Sequence, residues 1–410
     1  MRSRKIFISA YACEPGLGSE IGVGWHWVLE LSKYYDLWVL TRKSNQHTIE
    51  PWIAEHPEYS KIHWLYYDLP KWARFWKKGL RGVRTYYLIW QTLSDSIVKR
   101  TMQKENIKVF FHVTYGNALN KVSSYGQRQF FVWGPIGGLE TINKEYSSYY
   151  HVKWRVIEFV RRIIVRTLSL NCGFRNRCKN ANLILCKTDI TRQLIPDKYR
   201  CKAVLQTDVA TEKFSSFYSL DKSTNNRLEI ITVGRLDAWR GFDLCIEAVK
   251  IAKDKGVNLH LSILGKGSDK NRLISLVHDY KLEDIVSFVG QVPVDEYKSM
   301  LANADVVLNA SLKEGAVTVS FDAMAMGKPM ICLDTTGYTR YFNSEYAAII
   351  PITARHEVIN NLANAIVKLS DSSLRMEMGK NAVKAAHKFS WETRGKEVYE
   401  LLESKLHDVL

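Results

Sequence analysis

The sequence predicts an α/β protein of two domains, each a doubly wound parallel sheet covered by helices. Apolar runs of strand length alternate with longer amphipathic runs through both halves of the chain. This alternation is typical of parallel strands joined by helical crossovers. The 410 residues exceed one ordinary core, and they fit two domains of roughly 150–200 residues each.

Composition and charge narrow the kind of partner. Hydrophobic residues make up 46% of the chain and charged residues 24%, which is ordinary globular composition. The formal net charge of +16 favours an acidic partner, such as a phosphate ester, an anionic lipid or a nucleic acid. The basic residues cluster on aromatic segments without a recognised nucleic-acid motif, so we expect no nucleic-acid partner.

The cysteines and apolar runs predict a cytosolic protein with free thiols. None of the seven cysteines forms a CxxC pair, so no structural zinc site is expected. The first apolar run is too short and too polar for a signal peptide. No stretch reaches the roughly 18 uninterrupted apolar residues that a membrane span requires.

The first domain is predicted over residues 1–207. Its strand-length apolar runs are 5–11, 37–40, 61–69, 109–113, 129–133, 182–186 and 203–205. The polar, turn-rich stretch 207–227 is the predicted linker to a second domain over 208–389.

A glycine-rich loop follows the first predicted strand. Gly16, Gly18 and Gly22 have a GxGxxxG spacing, which one interpretation assigns to the dinucleotide site of a nicotinamide-dependent oxidoreductase. The second strand ends in Thr41-Arg42, however, without the acid that would hold a ribose. The other interpretation is a flexible turn that lets a ligand approach backbone amides. A second glycine-rich loop, 134–138, follows the strand at 129–133.

His112 lies at the end of the fourth predicted strand. Ligands of open α/β sheets bind beyond the carboxyl ends of the strands, so His112 is placed to reach a substrate. A structural histidine is the alternative.

Residues 152–168 form the clearest amphipathic helix of the chain. Five aliphatic residues share one face, and three arginines and Glu158 share the other. One interpretation is docking on an anionic membrane surface, which the basic, aromatic segment 71–100 also favours. The other is that the apolar face packs on its own domain, as it does in most amphipathic helices.

The second half repeats the strand and helix alternation. The predicted strands are 228–234, 259–265, 285–290, 306–308 and 330–333, with helices between them. Three further helical runs, 355–369, 373–389 and 390–406, end the chain. The last of them has no evident partner within its own half.

Three loops of this half are expected to meet at the carboxyl ends of the strands. They carry Arg235 and Arg240, then Gly265, and then 314–318 before a helix that begins near Val317. Two guanidinium groups and the amides of a helix N-terminus could neutralise a diphosphate without a metal. Solvated surface charge is the alternative for either arginine alone.

Glu314 and Asp322 frame the start of the same helix. Carboxylates repel phosphates, so we expect these two side chains to bind hydroxyl groups. Carboxylates that bind hydroxyl groups, beside backbone amides that bind phosphate, predict a nucleotide-sugar site.

Over nearly its whole length the chain resembles the retaining glycosyltransferases of family 4, which have the GT-B fold. The family segment G-R-L-x-x-x-(K/R)-G occurs as GRLDAWRG, and the element of two acids separated by seven residues occurs as EGAVTVSFD. It is followed by AMAMGKP, where the family has AMAxGxP. The first glycine loop and the GPIGG loop are also similar to this family.

The resemblance implies two Rossmann-like domains that face each other across a cleft, with residues 390–410 crossing back to complete the first. It implies that His112 and Glu314 are catalytic and contact the donor sugar, and that no metal is required. The implied donor-binding residues are Gly18, Arg235, Arg240, Gly265, Gly315, Ala316, Val317, Thr318 and Asp322. Of these, the two arginines would hold the diphosphate and Asp322 the ribose.

Two positions depart from the family pattern. Asp322 replaces a glutamate and is one methylene shorter, so ribose contact requires a closer helix or a bridging water. Arg240 stands where lysine is common, which keeps the charge and changes the geometry. The first departure leaves open a catalytically weak, sugar-binding homologue.

These features together predict a glycosyltransferase that retains the anomeric configuration of the sugar. The expected donor is a nucleotide diphosphate sugar. The expected acceptor is lipid-linked or saccharide, an intermediate of capsule, O-antigen or exopolysaccharide assembly. The expected location is the cytoplasm, with peripheral binding to the anionic inner face of the plasma membrane.

Overall fold

Apolar runs that are buried on both faces form the inner strands, as expected for parallel sheets enclosed by helices. The computed structural model of the chain describes residues 4–74, 76, 82–123, 125–126, 129–212, 227–314, 317–335 and 337–407. Its residues divide into two compact units. The first comprises Met1–Leu139, Thr167–Asp208 and Trp391–Leu410, and the second Glu140–Arg166 and Val209–Ser390.

The first unit contains a seven-stranded parallel sheet. Its strands are β1 (Lys5–Ser9), β2 (Asp36–Arg42), β3 (His63–Tyr67), β4 (Val109–His112), β5 (Phe130–Ile136), β6 (Leu183–Cys186) and β7 (Ala203–Leu205). They lie in the order β3-β2-β1-β4-β5-β6-β7. Residues such as Phe7, Phe110 and Phe131 pack against one another across neighbouring strands and form part of the core of this unit.

The second unit contains a six-stranded parallel sheet. Its strands are β8 (Leu228–Val233), β9 (Leu259–Leu264), β10 (Val286–Gly290), β11 (Val306–Asn309), β12 (Met330–Leu333) and β13 (Ala347–Ile350). They lie in the order β10-β9-β8-β11-β12-β13. Both orders reverse direction beside a central strand, which confirms the predicted doubly wound sheets.

The helices connect and cover these strands. In chain order they are α1 (Ser19–Ser32), α2 (Gln46–Glu55), α3 (Val83–Leu93), α4 (Asp95–Lys104), α5 (Lys144–Ser148), α6 (Val152–Arg166), α7 (Cys172–Asn180), α8 (Asp189–Gln193), α9 (Asp197–Arg200), α10 (Phe242–Asp254), α11 (Lys270–Asp279), α12 (Val294–Asn303), α13 (Thr318–Ala325), α14 (Arg355–Lys368), α15 (Ser372–Ala386) and α16 (Trp391–His407). Within the described residues, no helix is both long and apolar enough to cross a bilayer.

Two differences from the predicted strands concern a glycine-rich loop and the edge of a sheet. β5 continues to Ile136, so the first half of the GPIGG loop belongs to the strand. β13 was not predicted, because its run of four residues, AAII, is short and partly exposed at the edge of the sheet. Most of the predicted linker, residues 213–226, lies outside the described residues.

Residues Glu140–Arg166 belong to the second unit, although the sequence assigns them to a domain over 1–207. Helix α5 is held there by two hydrogen bonds. The Tyr146 hydroxyl donates to the carbonyl of Thr353 at 2.7 Å, and the amide of Arg355 donates to Glu145 Oε1 at 2.9 Å. In α6, Trp154 packs against the core of this unit.

Helix α16 packs against α1 in the first unit. Tyr34 and Tyr399 stack with ring centroids 4.3 Å apart, and His26 stacks on Trp391 at 4.7 Å. At the crossing, a Cβ added to Gly395 would lie 2.7 Å from Cβ of Glu30, so only glycine permits this approach. The missing partner of the last helical run is therefore α1.

Candidate functional site

Three loops of the second unit meet at the carboxyl ends of β8, β9 and β11. Gly241 has a φ of +67°, and a Cβ there would lie 2.0 Å from the carbonyl oxygen of Ala310. Gly265 has a φ of +128° and comes equally close to the carbonyl of Gly234, with 1.9 Å to an added Cβ. The amide of Leu312 donates to the carbonyl of Trp239 at 3.0 Å. Glycine at 241 and 265 thus lets the loops touch through their backbones.

Arg240 and Glu314 form an ion pair where these loops meet. Glu314 is buried and the Arg240 side chain is 22% exposed. The guanidinium lies over the Trp239 ring, with Cζ 4.3 Å from the centroid, so stacking holds its plane. We expected Glu314 to bind hydroxyl groups, and in this structure its carboxylate is paired with the Arg240 guanidinium.

Arg235 lies in the loop that follows β8, and its side chain is 68% exposed. Its Nε donates to Asp237 Oδ2 at 2.9 Å. The side chain stays mostly exposed although its Nε and Nη2 both pair with Asp237, so a charged ligand can reach it from solvent.

The helix α13 begins at Thr318, with Val317 as its N-cap residue. Neither the cap nor the first turn contains an acid, so the first-turn amides keep the partial positive charge of a helix N-terminus. Gly315 and Ala316, which the resemblance also implies, lie outside the described residues. The loops that meet at the carboxyl ends of β8, β9 and β11 therefore carry four of the predicted site residues, Gly265, Glu314, Val317 and Thr318.

Asp322 lies in the second turn of α13 and is buried. The Tyr297 hydroxyl donates to its Oδ2 at 2.7 Å. Burial raises the pKa of the Asp322 carboxyl to about 7, although the Tyr297 hydroxyl opposes the shift. The shorter side chain thus has a protein partner, and its charge changes near neutral pH.

His112 ends β4 in the first unit and is buried. Its Nε2 lies 3.1 Å from the Tyr87 hydroxyl, and this hydroxyl donates its proton to the carbonyl of Lys121 at 3.3 Å. Burial, with a smaller contribution from Arg177, lowers the pKa of His112 to about 3. The imidazole is therefore neutral at physiological pH and acts through hydrogen bonds alone.

Gly18 is the N-cap residue of α1 in the first unit. A Cβ added there would contact nothing within 4 Å, whereas one added to Gly24 would lie 2.0 Å from the carbonyl of Ala12. Packing therefore requires a glycine at 24 and permits a side chain at 18.

Sequence reasoning gave no role to four residues around these loops. Trp239 carries the Arg240 guanidinium, and Tyr297 holds Asp322. Glu158 of α6 pairs with Lys313, the residue before Glu314, and both side chains are buried. The position of Trp239 inside GRLDAWRG was a signal for its role, whereas no local pattern links 158 to 313.

The fold and these loops define the class of the structure. Two Rossmann-like parallel-sheet units of seven and six strands constitute the GT-B fold. The structure is similar to a sucrose-phosphate synthase from Thermosynechococcus elongatus, with a TM-score of 0.64, 17% identity, and 99% of this chain and 100% of that chain covered. It is also similar to Anabaena HepE in complex with UDP and glucose, with a TM-score of 0.59, 15% identity, and 98% and 100% covered.

Sequence comparison finds similarity to a known family in the second half of the chain. Residues 220–385 match the family model described as glycosyl transferases group 1. WcaL of Escherichia coli, named for a glycosyltransferase role in colanic acid biosynthesis, is 30% identical over 190 residues. That match covers 45% of this chain and 47% of WcaL, so the similarity spans about half of each protein.

Proposed function

We propose that this protein transfers a sugar from a nucleotide diphosphate sugar to an acceptor hydroxyl. The observation that carries the proposal is the meeting of Arg240, Glu314 and the α13 N-terminus at the carboxyl edge of the second sheet. Diphosphate needs cations and amides, and sugar hydroxyls need carboxylates. The match of residues 220–385 to the glycosyl transferases supports the same reaction.

The Arg240–Glu314 pair indicates how a donor would enter. The diphosphate would compete with Glu314 for the Arg240 guanidinium, while Arg235 and the α13 amides supply further positive charge. Release from Arg240 frees the Glu314 carboxylate to accept hydrogen bonds from the donor sugar. Asp322 would accept from the nucleotide ribose.

For the transfer step we propose retention by attack on the front face of the sugar. The acceptor oxygen forms a bond to the anomeric carbon as the bond from that carbon to the phosphate oxygen breaks. The acceptor proton passes to the departing phosphate, whose negative charge Arg235 and Arg240 stabilise without a metal. His112 would contact the sugar as a neutral hydrogen-bonding group.

The proposed acceptor is a lipid-linked or saccharide intermediate of surface-polysaccharide assembly. Similarity to WcaL, named for colanic acid biosynthesis, supports this class. The net charge of +16 supports a site at the anionic inner face of the membrane. The nicotinamide alternative is not favoured, because residues 220–385 match glycosyl transferases and the strand that would hold a ribose ends in Thr41-Arg42.

A thermal-shift screen against UDP, GDP, ADP, their sugars and NADPH identifies the donor. We expect stabilisation by one nucleotide and its sugar, and none by NADPH. Transfer or donor hydrolysis by the purified protein then separates an active enzyme from a sugar-binding homologue.

Arg235→Ala tests the diphosphate site, since an exposed arginine contributes little to the fold. We expect kcat/KM for transfer to fall by about 100-fold or more, because one charge-assisted contact to the leaving group is lost. Arg227→Ala is the matched control. Arg227 is also exposed and is paired with Glu229, but it lies at the amino end of β8, whereas Arg235 follows the carboxyl end. Near-normal transfer by Arg235→Ala would refute the role of Arg235.

A further inference from the structure

Helix α6 turns its apolar side to solvent. Val152 is 64% exposed, Phe159 59%, Val156 55% and Val160 46%, and all four lie on one side of the helix. Ile163 and Ile164 continue the row, at 46% and 40%. Of the two interpretations of this helix, the packing of its apolar face on its own domain is therefore contradicted.

The opposite side of α6 is polar and anchored. Glu158 is buried and paired with Lys313, and Arg162 Nη2 donates to Ser147 Oγ at 3.4 Å. Trp154 packs against the core between these contacts. Rolling the helix to bury its apolar row would break a buried ion pair, which is costly, so the orientation is fixed by the chain itself.

The charges on the exposed side of α6 have one sign. Lys153, Arg155 and Arg166 are exposed, and both arginines lie along one edge of the apolar row at helical spacing. Glu158 is the sole acid in the helix sequence, and it faces the protein. The exposed side thus combines long cationic side chains with a continuous apolar stripe and has no carboxylate.

We propose that this side of α6 docks on an anionic lipid surface. The α6 surface is defined by Val152, Lys153, Arg155, Val156, Phe159, Val160, Ile163 and Arg166. Its apolar row would enter the acyl boundary while the cations contact lipid phosphates. Association with a second copy is less favourable, because a two-fold contact brings the same cations against each other.

The inference rests on the proposed function for its purpose, which is to hold the enzyme beside a lipid-linked acceptor. The docking itself requires neither donor nor transfer. Vesicle binding and donor binding can therefore fail independently, and each is measured by itself.

Flotation of the full chain with vesicles tests the proposal. We expect binding to vesicles of phosphatidylglycerol and phosphatidylethanolamine, weaker binding at high salt, and little binding to phosphatidylcholine alone. Val156→Ser/Phe159→Ser should lower the partition coefficient by about tenfold or more, because two inserted apolar side chains are lost. Arg155→Gln/Arg166→Gln should lower it on anionic vesicles only.

The matched control is Ile274→Ser/Met376→Ser. These residues are 43% and 38% exposed on α11 and α15 of the same unit, so the control also removes two exposed apolar side chains. It should bind vesicles as the wild type does. Hydrogen exchange should slow in residues 152–166 when anionic vesicles are added.

Four outcomes would overturn the proposal. The first is that the wild type does not float with vesicles, and the second is that Val156→Ser/Phe159→Ser floats as well as the wild type. The third is that the control variant loses as much binding as Val156→Ser/Phe159→Ser does. The fourth is self-association that depends on Val156 and Phe159, without vesicle binding. The last would assign the α6 surface to a second copy of the chain. Donor-induced thermal stabilisation, measured on every variant, should stay unchanged.

Discussion

Asp322 is the acid of the candidate site whose charge changes near neutral pH. Its pKa is about 7 because of burial, while the same carboxyl titrates near 4 in the unfolded chain. Between these values the folded state holds the proton more tightly, so the contribution of this carboxyl to stability is largest at low pH and is lost as pH rises to about 7. Three pKa units correspond to at most about 4 kcal/mol.

Asp322→Asn should remove this pH dependence, since asparagine still accepts from the Tyr297 hydroxyl and carries no charge. In urea unfolding, the variant should gain stability relative to the wild type as pH rises from about 4 to about 7, and the difference should then level off. Glu212 and Lys298 lie close enough to influence this carboxyl. A difference that stays constant with pH would show that the carboxyl is already ionised below this range.

The same residue gives a binding prediction. An ionised carboxylate accepts hydrogen bonds from ribose hydroxyls better than the neutral acid does. Affinity for the nucleotide sugar should therefore rise as pH increases through about 7, and Asp322→Asn should make it independent of pH in that range. Calorimetric titration at several pH values measures this, and equal slopes for both proteins would remove Asp322 from the ribose site.

At the scale of elements, the Glu158–Lys313 pair joins α6 to the loop that carries Glu314. Both side chains are buried, and burial lowers the pKa of Lys313 to about 8, with Arg161 adding to the effect. Lys313 also lies over Trp239, with Nζ 5.2 Å from the ring centroid. The ring that supports Arg240 thus contacts both cations.

Glu158→Gln should destabilise the protein by about 3–5 kcal/mol, because it leaves Lys313 charged and buried without its carboxylate. The loss should shrink as pH rises towards about 8 and be small above it, because Glu158 raises the pKa of Lys313 and the lysine of the variant gives up its proton at lower pH. Because Glu314 is the next residue, the affinity for the donor should also fall. Chemical unfolding and donor titration measure the two effects.

Two variants separate the possible causes. Asp254→Asn removes one partner of the exposed pair with Lys250 and should cost only about 0.3–0.5 kcal/mol. Glu158→Leu/Lys313→Met removes both buried charges and should recover most of the stability. If the double variant also recovers donor affinity, the Glu158–Lys313 pair positions Glu314 by keeping the loop folded, and its charges are not themselves required.

Elements with a long, regular pattern could be predicted from the sequence, and so could both sheets. β13 could not be predicted, because its four partly exposed residues at the sheet edge show no alternation of apolar and polar side chains. The loops that carry Arg240 and Glu314 were found because glycines and charges directly follow buried strands. The ion pair between these residues, and the Tyr297 contact to Asp322, depend on side-chain distances that spacing does not contain.

Helix α6 shows why amphipathicity alone is ambiguous. The pattern gives two faces and leaves open which one faces the protein. Here the ion pair of Glu158 with Lys313 holds the polar face against the protein, and these two residues are far apart in sequence. The same limit applied to the predicted boundary of the first domain, because α5 and α6 contact residues such as Thr353 and Arg355.

At the scale of the whole molecule, helix α16 belongs to the first unit and completes it. Val398, Leu402 and Leu406 of α16 are fully buried, and Glu403 accepts from Arg4 at 3.3 Å and from the Tyr35 hydroxyl at 3.0 Å. The stability of the first unit thus depends on residues that follow the second unit in sequence.

Leu402→Ala should therefore destabilise the first unit by about 2–5 kcal/mol, because it opens a cavity beside α1. Leu362→Ala removes an equally buried leucine from α14 and should have the same effect on the second unit. Hydrogen exchange resolved by segment measures both. We expect Leu402→Ala to raise exchange in β1 and β4 and leave β8 and β9 unchanged, and Leu362→Ala to do the reverse. If either variant raises hydrogen exchange in both sheets, the two units unfold cooperatively as one. Donor binding should then slow exchange in β1 as well as in β8.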